Sequence, residues 1–261
     1  MNGIILLPLV PMRASDSESS EMVSQLLYGE LVEILEVREH WLYVKNIADK
    51  YTGWVDRKMI KTVADKEFEQ LSAAKPEPLY YPLVECDNND YTEKMYLPGG
   101  SKLYSDNEIA MLDSSKSLSF DPIYQIYVND ITGSEIIKVA EAYLNAPYLW
   151  GGKSILGMDC SGLVQVVFSI CGIQLPRDAS QQVEKGEVVN FLEEAQAGDL
   201  AFFENADGKI IHVGIMINPT QIIHASGWVK IENIDTHGII SSQTGEYTHR
   251  LRIIKRLINN I

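Results

Sequence analysis

The sequence predicts an α+β domain, with helices packed on an antiparallel sheet, preceded by one or two small β-barrels. Three observations carry this. The first sixty residues read as short alternating strands punctuated by turns. From about residue 132 two helical runs come first and a series of strands follows, the order of an α+β fold. The 261 residues are 46% hydrophobic, enough for a sizeable core in more than one domain. The expected boundaries are 1–62 for a barrel, 63–131 for a linker and second barrel, and 132–261 for the α+β domain.

In the first segment Val10-Pro11-Met12-Arg13 leads into a polar stretch, Ala14 to Ser20. Strands are expected at Val23 to Leu27, Leu31 to Val37, Trp41 to Val44 and Thr52 to Val55, with a turn at Tyr28-Gly29-Glu30. This pattern resembles a bacterial SH3-like domain over about 50 residues. Lys66 to Lys75 reads as a short helix, ended by Pro76 and Pro78. From Leu79 to about Asp130 the chain is again β-rich, with turn signals at Asn88-Asn89-Asp90, Pro98-Gly99-Gly100 and Ser105-Asp106-Asn107. Leu97 to Tyr104 resembles a strand-turn-strand unit of a second such barrel.

Beyond residue 132 a helix is expected over Ile136 to Leu144, capped by Thr132 or Ser134. A second helical run follows Asp159-Cys160-Ser161-Gly162 and stops at Gly172. A cysteine at a helix start meets unpaired N–H groups and the positive end of the helix dipole, which favour thiolate. Cys171, about three turns along the same helix, reads as a buried thiol, and Cys86 has no assigned role. Strands are then expected at Asp199 to Glu204, Ile210 to Ile217, Gln221 to Ala225, Val229 to Ile234 and Arg250 to Leu257.

Asn218-Pro219-Thr220 makes the second and third of these a hairpin. Centred on Asn218, it would place His212 opposite His224; centred on Pro219, it would keep both on one face, because side chains alternate with period two. In either register two imidazoles converge downstream of a cysteine at a helix start. The set suits a nucleophile, a base and an orienting group. His212 is the better base, being mid-strand with Gly214 beside it to leave room for the cysteine helix. His40, His237 and His249 have no comparable constellation.

Pro147-Tyr148-Leu149-Trp150-Gly151-Gly152, Asp159-Cys160-Ser161-Gly162-Leu163, Leu175-Pro176-Arg177-Asp178, Ala197-Gly198-Asp199-Leu200, His212-Val213-Gly214-Ile215 and Ile223-His224-Ala225-Ser226 together resemble the NlpC/p60 cysteine peptidases. The match spans about 130 residues in the family's order. It implies a papain-like fold with a triad of Cys160, His212 as base and His224 as orienter. With SH3-like domains ahead, the chain is similar to γ-D-glutamyl-L-diamino acid endopeptidases. That resemblance implies a murein peptide substrate, L-Ala-γ-D-Glu-diamino acid with a free N-terminal amine. Asp159 matches the family's amine-binding aspartate, and also stands where a helix cap would. Ser161 is a second candidate contact, Tyr148 a donor to the oxyanion, and Trp150 a pocket wall. Glu21 and Tyr51 are the candidate amine contacts from the SH3-like domain. Arg177-Asp178 reads as an ion pair holding a loop.

A net charge of −14 with no basic patch argues against nucleic acid or an anionic membrane as partner. No cofactor is expected: there is no CxxC or HExxH, so no zinc motif. No run reaches about 18 apolar residues. Met1 to Arg13 lacks an early Lys or Arg and is interrupted by Pro8 and Pro11, unlike a secretory signal. These features favour a cytoplasmic enzyme of peptide recycling. The alternatives are a secreted hydrolase of intact wall, an amidase or acyltransferase on the same fold, and a non-catalytic wall-peptide binder.

Overall fold

A computed structural model of the chain describes residues 1–88, 94–105, 118–119 and 131–258. It forms two compact units, Met1–Tyr127 and Val128–Ile261.

The first unit opens with β1 (Asn2–Ile4), β2 (Leu9–Arg13), β3 (Met22–Leu27), β4 (Leu31–Val37), β5 (Trp41–Asn46), β6 (Thr52–Asp56) and β7 (Lys61–Val63). They make one antiparallel sheet in the order β3-β2-β6-β5-β4-β1-β7. Alternation along each strand drives Val10, Met12, Leu26, Val32, Ile34, Leu42, Val44 and Val55 into a single apolar cluster. One cluster fed by every strand from β2 to β6 means the sheet wraps around it as a small barrel.

Then come α1 (Asp65–Ala73), β8 (Glu77–Pro78), β9 (Leu83–Asn88), β10 (Lys94–Pro98), β11 (Lys102–Leu103) and β12 (Leu118–Ser119). Glu67 at the third position of α1 accepts from the Ala64 N–H at 3.0 Å, closing its first turn. β9 pairs on one side with β10 and on the other with β12, while β8 pairs with β11. Tyr28, Leu79, Val84, Cys86 and Leu97 form a second small core. The expected turns at Asn89-Asp90 and Asp106-Asn107 lie outside the described residues.

The second unit begins with α2 (Gly133–Glu141). Thr132, not Ser134, is its cap: Oγ1 accepts from the Glu135 N–H at 3.2 Å. A short hairpin of β13 (Lys153–Ser154) and β14 (Gly157–Met158) feeds directly into α3 (Cys160–Ile170). Every residue of α3 but Ser169 is buried, because the helix lies between α2 and the sheet. Leu163, Val164, Val167 and Phe168 are fully buried, each contributing about 1.5–3 kcal/mol.

After α4 (Ala179–Gln182) come β15 (Glu187–Val189), β16 (Leu200–Glu204), β17 (Ile210–Asn218), β18 (Gln221–Ser226), β19 (Trp228–Ile234), β20 (Gly238–Ile240) and β21 (Tyr247–Arg256). Their order is β15-β21-β16-β17-β18-β19-β20, and β20 also pairs with β21. The sequence predicts the antiparallel sheet but not this closure, since β20 is only three residues long and shows no alternation. The ring encloses Ala201, Phe203, Met216, Ile222, Ile234, Ile239 and Ile254. By alternation Val213, Ile215, Ile223 and Ala225 take the opposite face, and α3 packs on β17 and β18.

Candidate active site

Cys160 is the first residue of α3, entered through the tight β13–β14 hairpin. Gly162 is required there: a Cβ would stand 2.2 Å from the Gly152 carbonyl oxygen. The thiol lies against β17 at Val213, whose backbone N–H donates to it together with that of Ser161. The thiol thus meets β17 at the residue that follows His212 in sequence.

The hairpin takes the Pro219-centred register: Gly214 faces His224, Ile215 faces Ile223 and Met216 faces Ile222. His212 is therefore diagonal to His224 on the same face. Gly214 does not make room for the cysteine helix, as the sequence suggests. A Cβ on it would meet Ile222 Cδ1 at 2.6 Å and His224 Cβ at 2.9 Å, so its bare backbone makes room for β18 instead. With that space open, His212 Nε2 and His224 Nδ1 come within 2.9 Å.

Two further residues join them that the sequence reading does not single out. Glu232, on β19, sits with Oε2 3.0 Å from His224 Nε2 and is 3% exposed. The imidazole of His249, on β21, stacks on that of His212 with centroids 4.1 Å apart and planes 26° apart. The expectation that His249 belongs to no constellation is therefore corrected, and the reason is the β20–β21 closure that carries it there. Burial, then the neighbouring His249 and His224, keeps His212 well below its ordinary pKa. Burial likewise lowers His224, against the pull of Glu232, and brings His249 down to about 4. All three rings are neutral at neutral pH.

Asp159 caps α3, its Oδ1 accepting from the Gly162 N–H at 2.6 Å. Its Oδ2 accepts from the Gly151 N–H at 2.8 Å. Arg177 closes on both oxygens at 3.0 and 2.5 Å and also donates to Ser161 Oγ at 2.9 Å. Ser161 Oγ in turn donates to Asp159 Oδ1 at 3.3 Å. Five donors thus meet a carboxylate that offers about four lone-pair directions. Asp159 is committed to the turn and to Arg177, 18 residues away in sequence. Tyr148 is half-buried, and burial, with Cys160 and Asp159 nearby, pushes its hydroxyl up to about 12, so it is a donor at neutral pH. Trp150 is 60% exposed, which removes it from the core. In the first unit Glu21 is exposed and Tyr51 packs against the barrel core.

The helix-start argument alone would leave Cys160 as a thiolate. Burial and the Asp159 carboxylate outweigh the donated N–H groups and Arg177, pushing the thiol up to about 11. At rest, then, the Cys160 thiol is pushed up and the His212 imidazole is held well below its ordinary range, so neither carries charge. Alkylation of Cys160 by iodoacetamide should accordingly rise with pH through neutrality towards about pH 11. A rate plateau already reached below pH 8 would reveal a preformed thiolate–imidazolium pair instead. Cys171, buried as expected, is pushed by burial up to about 12 and takes no part.

Residues 145–248 match the NlpC/P60 family, and residues 12–60 match the bacterial dipeptidyl-peptidase Sh3 domain. A gamma-D-glutamyl-L-lysine dipeptidyl-peptidase of Bacillus cereus is 26% identical over 88% of this chain and 75% of its own length. A probable endopeptidase p60 of Listeria seeligeri is 41% identical over 40% of this chain and 20% of its own length. A crystal structure of an NlpC/P60 family protein from Bacillus cereus superposes with a TM-score of 0.77 at 18% identity, covering 99% of this chain and all of that one, which shows a common fold. Taken with a cysteine at a capped helix start and two hydrogen-bonded histidines on the facing strands, these matches assign the second unit to the NlpC/P60 cysteine peptidases, with a bacterial SH3 domain ahead of it.

Proposed function

We propose that the protein hydrolyses the γ-D-glutamyl–diamino acid bond of murein stem peptides that carry a free N-terminal L-Ala, in the recycling of wall peptides inside the cell. The observation that carries this is the Cys160–His212–His224 arrangement, with the thiol against Val213 and the histidines 2.9 Å apart. The substrate rests on similarity to a gamma-D-glutamyl-L-lysine dipeptidyl-peptidase along 88% of the chain.

In this reading Sγ of Cys160 attacks the γ-carbonyl carbon while His212 takes the thiol proton. The oxyanion is met by the Cys160 N–H and the Tyr148 hydroxyl. The C–N bond breaks as His212 returns its proton to the leaving amine of the diamino acid. Water, activated by the same imidazole, then hydrolyses the γ-glutamyl thioester and regenerates the thiol. His224 holds His212 in orientation throughout. Trp150 is the exposed wall of the substrate pocket. Asp159, with its lone pairs already taken, contributes through the turn it holds, and Ser161 is the contact for the amine on this side.

The test compares L-Ala-γ-D-Glu-diaminopimelate with its N-acetylated form. Release of the diamino acid from the free peptide only is the expected outcome. Equal cleavage of both would remove the free-amine requirement, and cleavage of neither would remove the substrate.

A further inference from the structure

We infer that Glu232 is a positioning residue that sets the tautomers of both histidines and thereby makes Nδ1 of His212 the basic nitrogen. The inference rests on Cys160 and His212 being nucleophile and base. Glu232 Oε2 lies 3.0 Å from His224 Nε2. Its Oε1 accepts from the Ser242 backbone N–H at 2.9 Å and from Ser242 Oγ at 3.0 Å, with Lys230 Nζ at 3.4 Å. Burial pushes this carboxyl up, but the bonds from His224 and Ser242 outweigh it and hold it at about 2.

An ionised carboxylate only accepts, so the proton between it and His224 belongs to Nε2 of the imidazole. A neutral imidazole carries one N–H, which leaves His224 Nδ1 as an acceptor. The 2.9 Å contact then requires His212 Nε2 to be the donor. The one bare nitrogen left on His212 is Nδ1. One carboxylate therefore dictates, through two rings, which nitrogen can receive the thiol proton. It also stabilises the charge that appears on His212 during attack.

Glu232→Gln turns this logic into a test. The amide has one oxygen and one NH2. The Ser242 backbone N–H cannot accept, so the oxygen stays with Ser242 and the NH2 turns to His224. Nε2 must then be bare, the proton moves to Nδ1 of His224, and His212 is driven to carry its own proton on Nδ1. The base is lost with almost no change in shape. In 15N-labelled wild-type protein both Nε2 atoms should resonate as N–H nitrogens and both Nδ1 atoms as bare ones. Glu232→Gln should invert this and lower kcat about 10³–10⁴-fold, the scale of a triad carboxylate changed to an amide, with KM little altered. Glu232→Asp should restore the wild-type nitrogen pattern and most of kcat. An N–H at Nδ1 of either ring in the wild type would overturn the inference. So would Glu232→Gln retaining kcat within tenfold. The wild-type spectrum and Glu232→Asp decide even if the Gln variant does not fold. The spectrum also needs no substrate, so a wild type that cleaves no peptide would fail the functional proposal and leave this one to stand or fall separately.

Discussion

Cys160→Ala and His212→Ala should each lower the proposed wall-peptide hydrolysis by at least about 10⁴-fold, with the double variant no worse than either alone. The reason lies in the resting state. With the thiol pushed up to about 11 and His212 held neutral, neither group reacts alone. The thiol needs an acceptor for its proton at the moment of attack, and the imidazole has no other nucleophile to serve. Groups that act as a unit lose their effect together, so the two losses do not add. Cys160→Ala removes little buried surface, so its thermal midpoint should stay near that of the wild type, whereas His212→Ala leaves the buried His224 Nδ1 without its partner and should cost about 1–3 kcal/mol. Single-turnover assays on purified variants, with melting curves alongside, measure both. Independent, multiplying losses would mean that the thiol is activated by something other than His212.

Arg177→Ala destabilises the second unit by about 3–5 kcal/mol, the cost of removing one partner of a buried ion pair. The Arg177 side chain is 1% exposed and that of Asp159 7%, so no solvent replaces the lost bonds. The carboxylate that remains still caps α3 and holds Gly151, but its charge is left uncompensated beside the thiol. On the size of this unit the midpoint should drop by roughly 10–20 °C. Adding Asp159→Asn, which removes the stranded charge, should recover part of the loss. A midpoint within about 3 °C of wild type would show that Arg177 is dispensable to the turn.

Much of this site is legible in the sequence because it is local. Cys160 sits at a turn beside its own cap, and His212 and His224 lie on one hairpin whose centre is marked by Asn218-Pro219-Thr220. Glu232 was within reach of the same counting. A second hairpin centred on Gly227 places Lys230 opposite His224 and Glu232 opposite Ile222, on the face of the histidines. His249 was not within reach, since it arrives only when the short β20 joins β19 to β21. The Arg177–Asp159 pair was likewise hidden, because the two residues lie 18 apart in sequence and on different elements. In each case the missing information is a contact between elements, which neither periodicity nor capping encodes.

The closed ring also constrains the order in which the protein can become competent during synthesis. Among the described residues β21 follows every other strand of the second unit, and it borders both β16 and β20. Until it has emerged, β16 lacks one of its two neighbours, and Phe203 and His212 lack the ring of His249 against them. The helix bearing the thiol and both histidines therefore exist as chain well before they exist as a site. Such non-local closure is slow compared with helix formation. A ribosome carrying the nascent chain presents Cys160 early and the assembled face of histidines only once β21 has emerged.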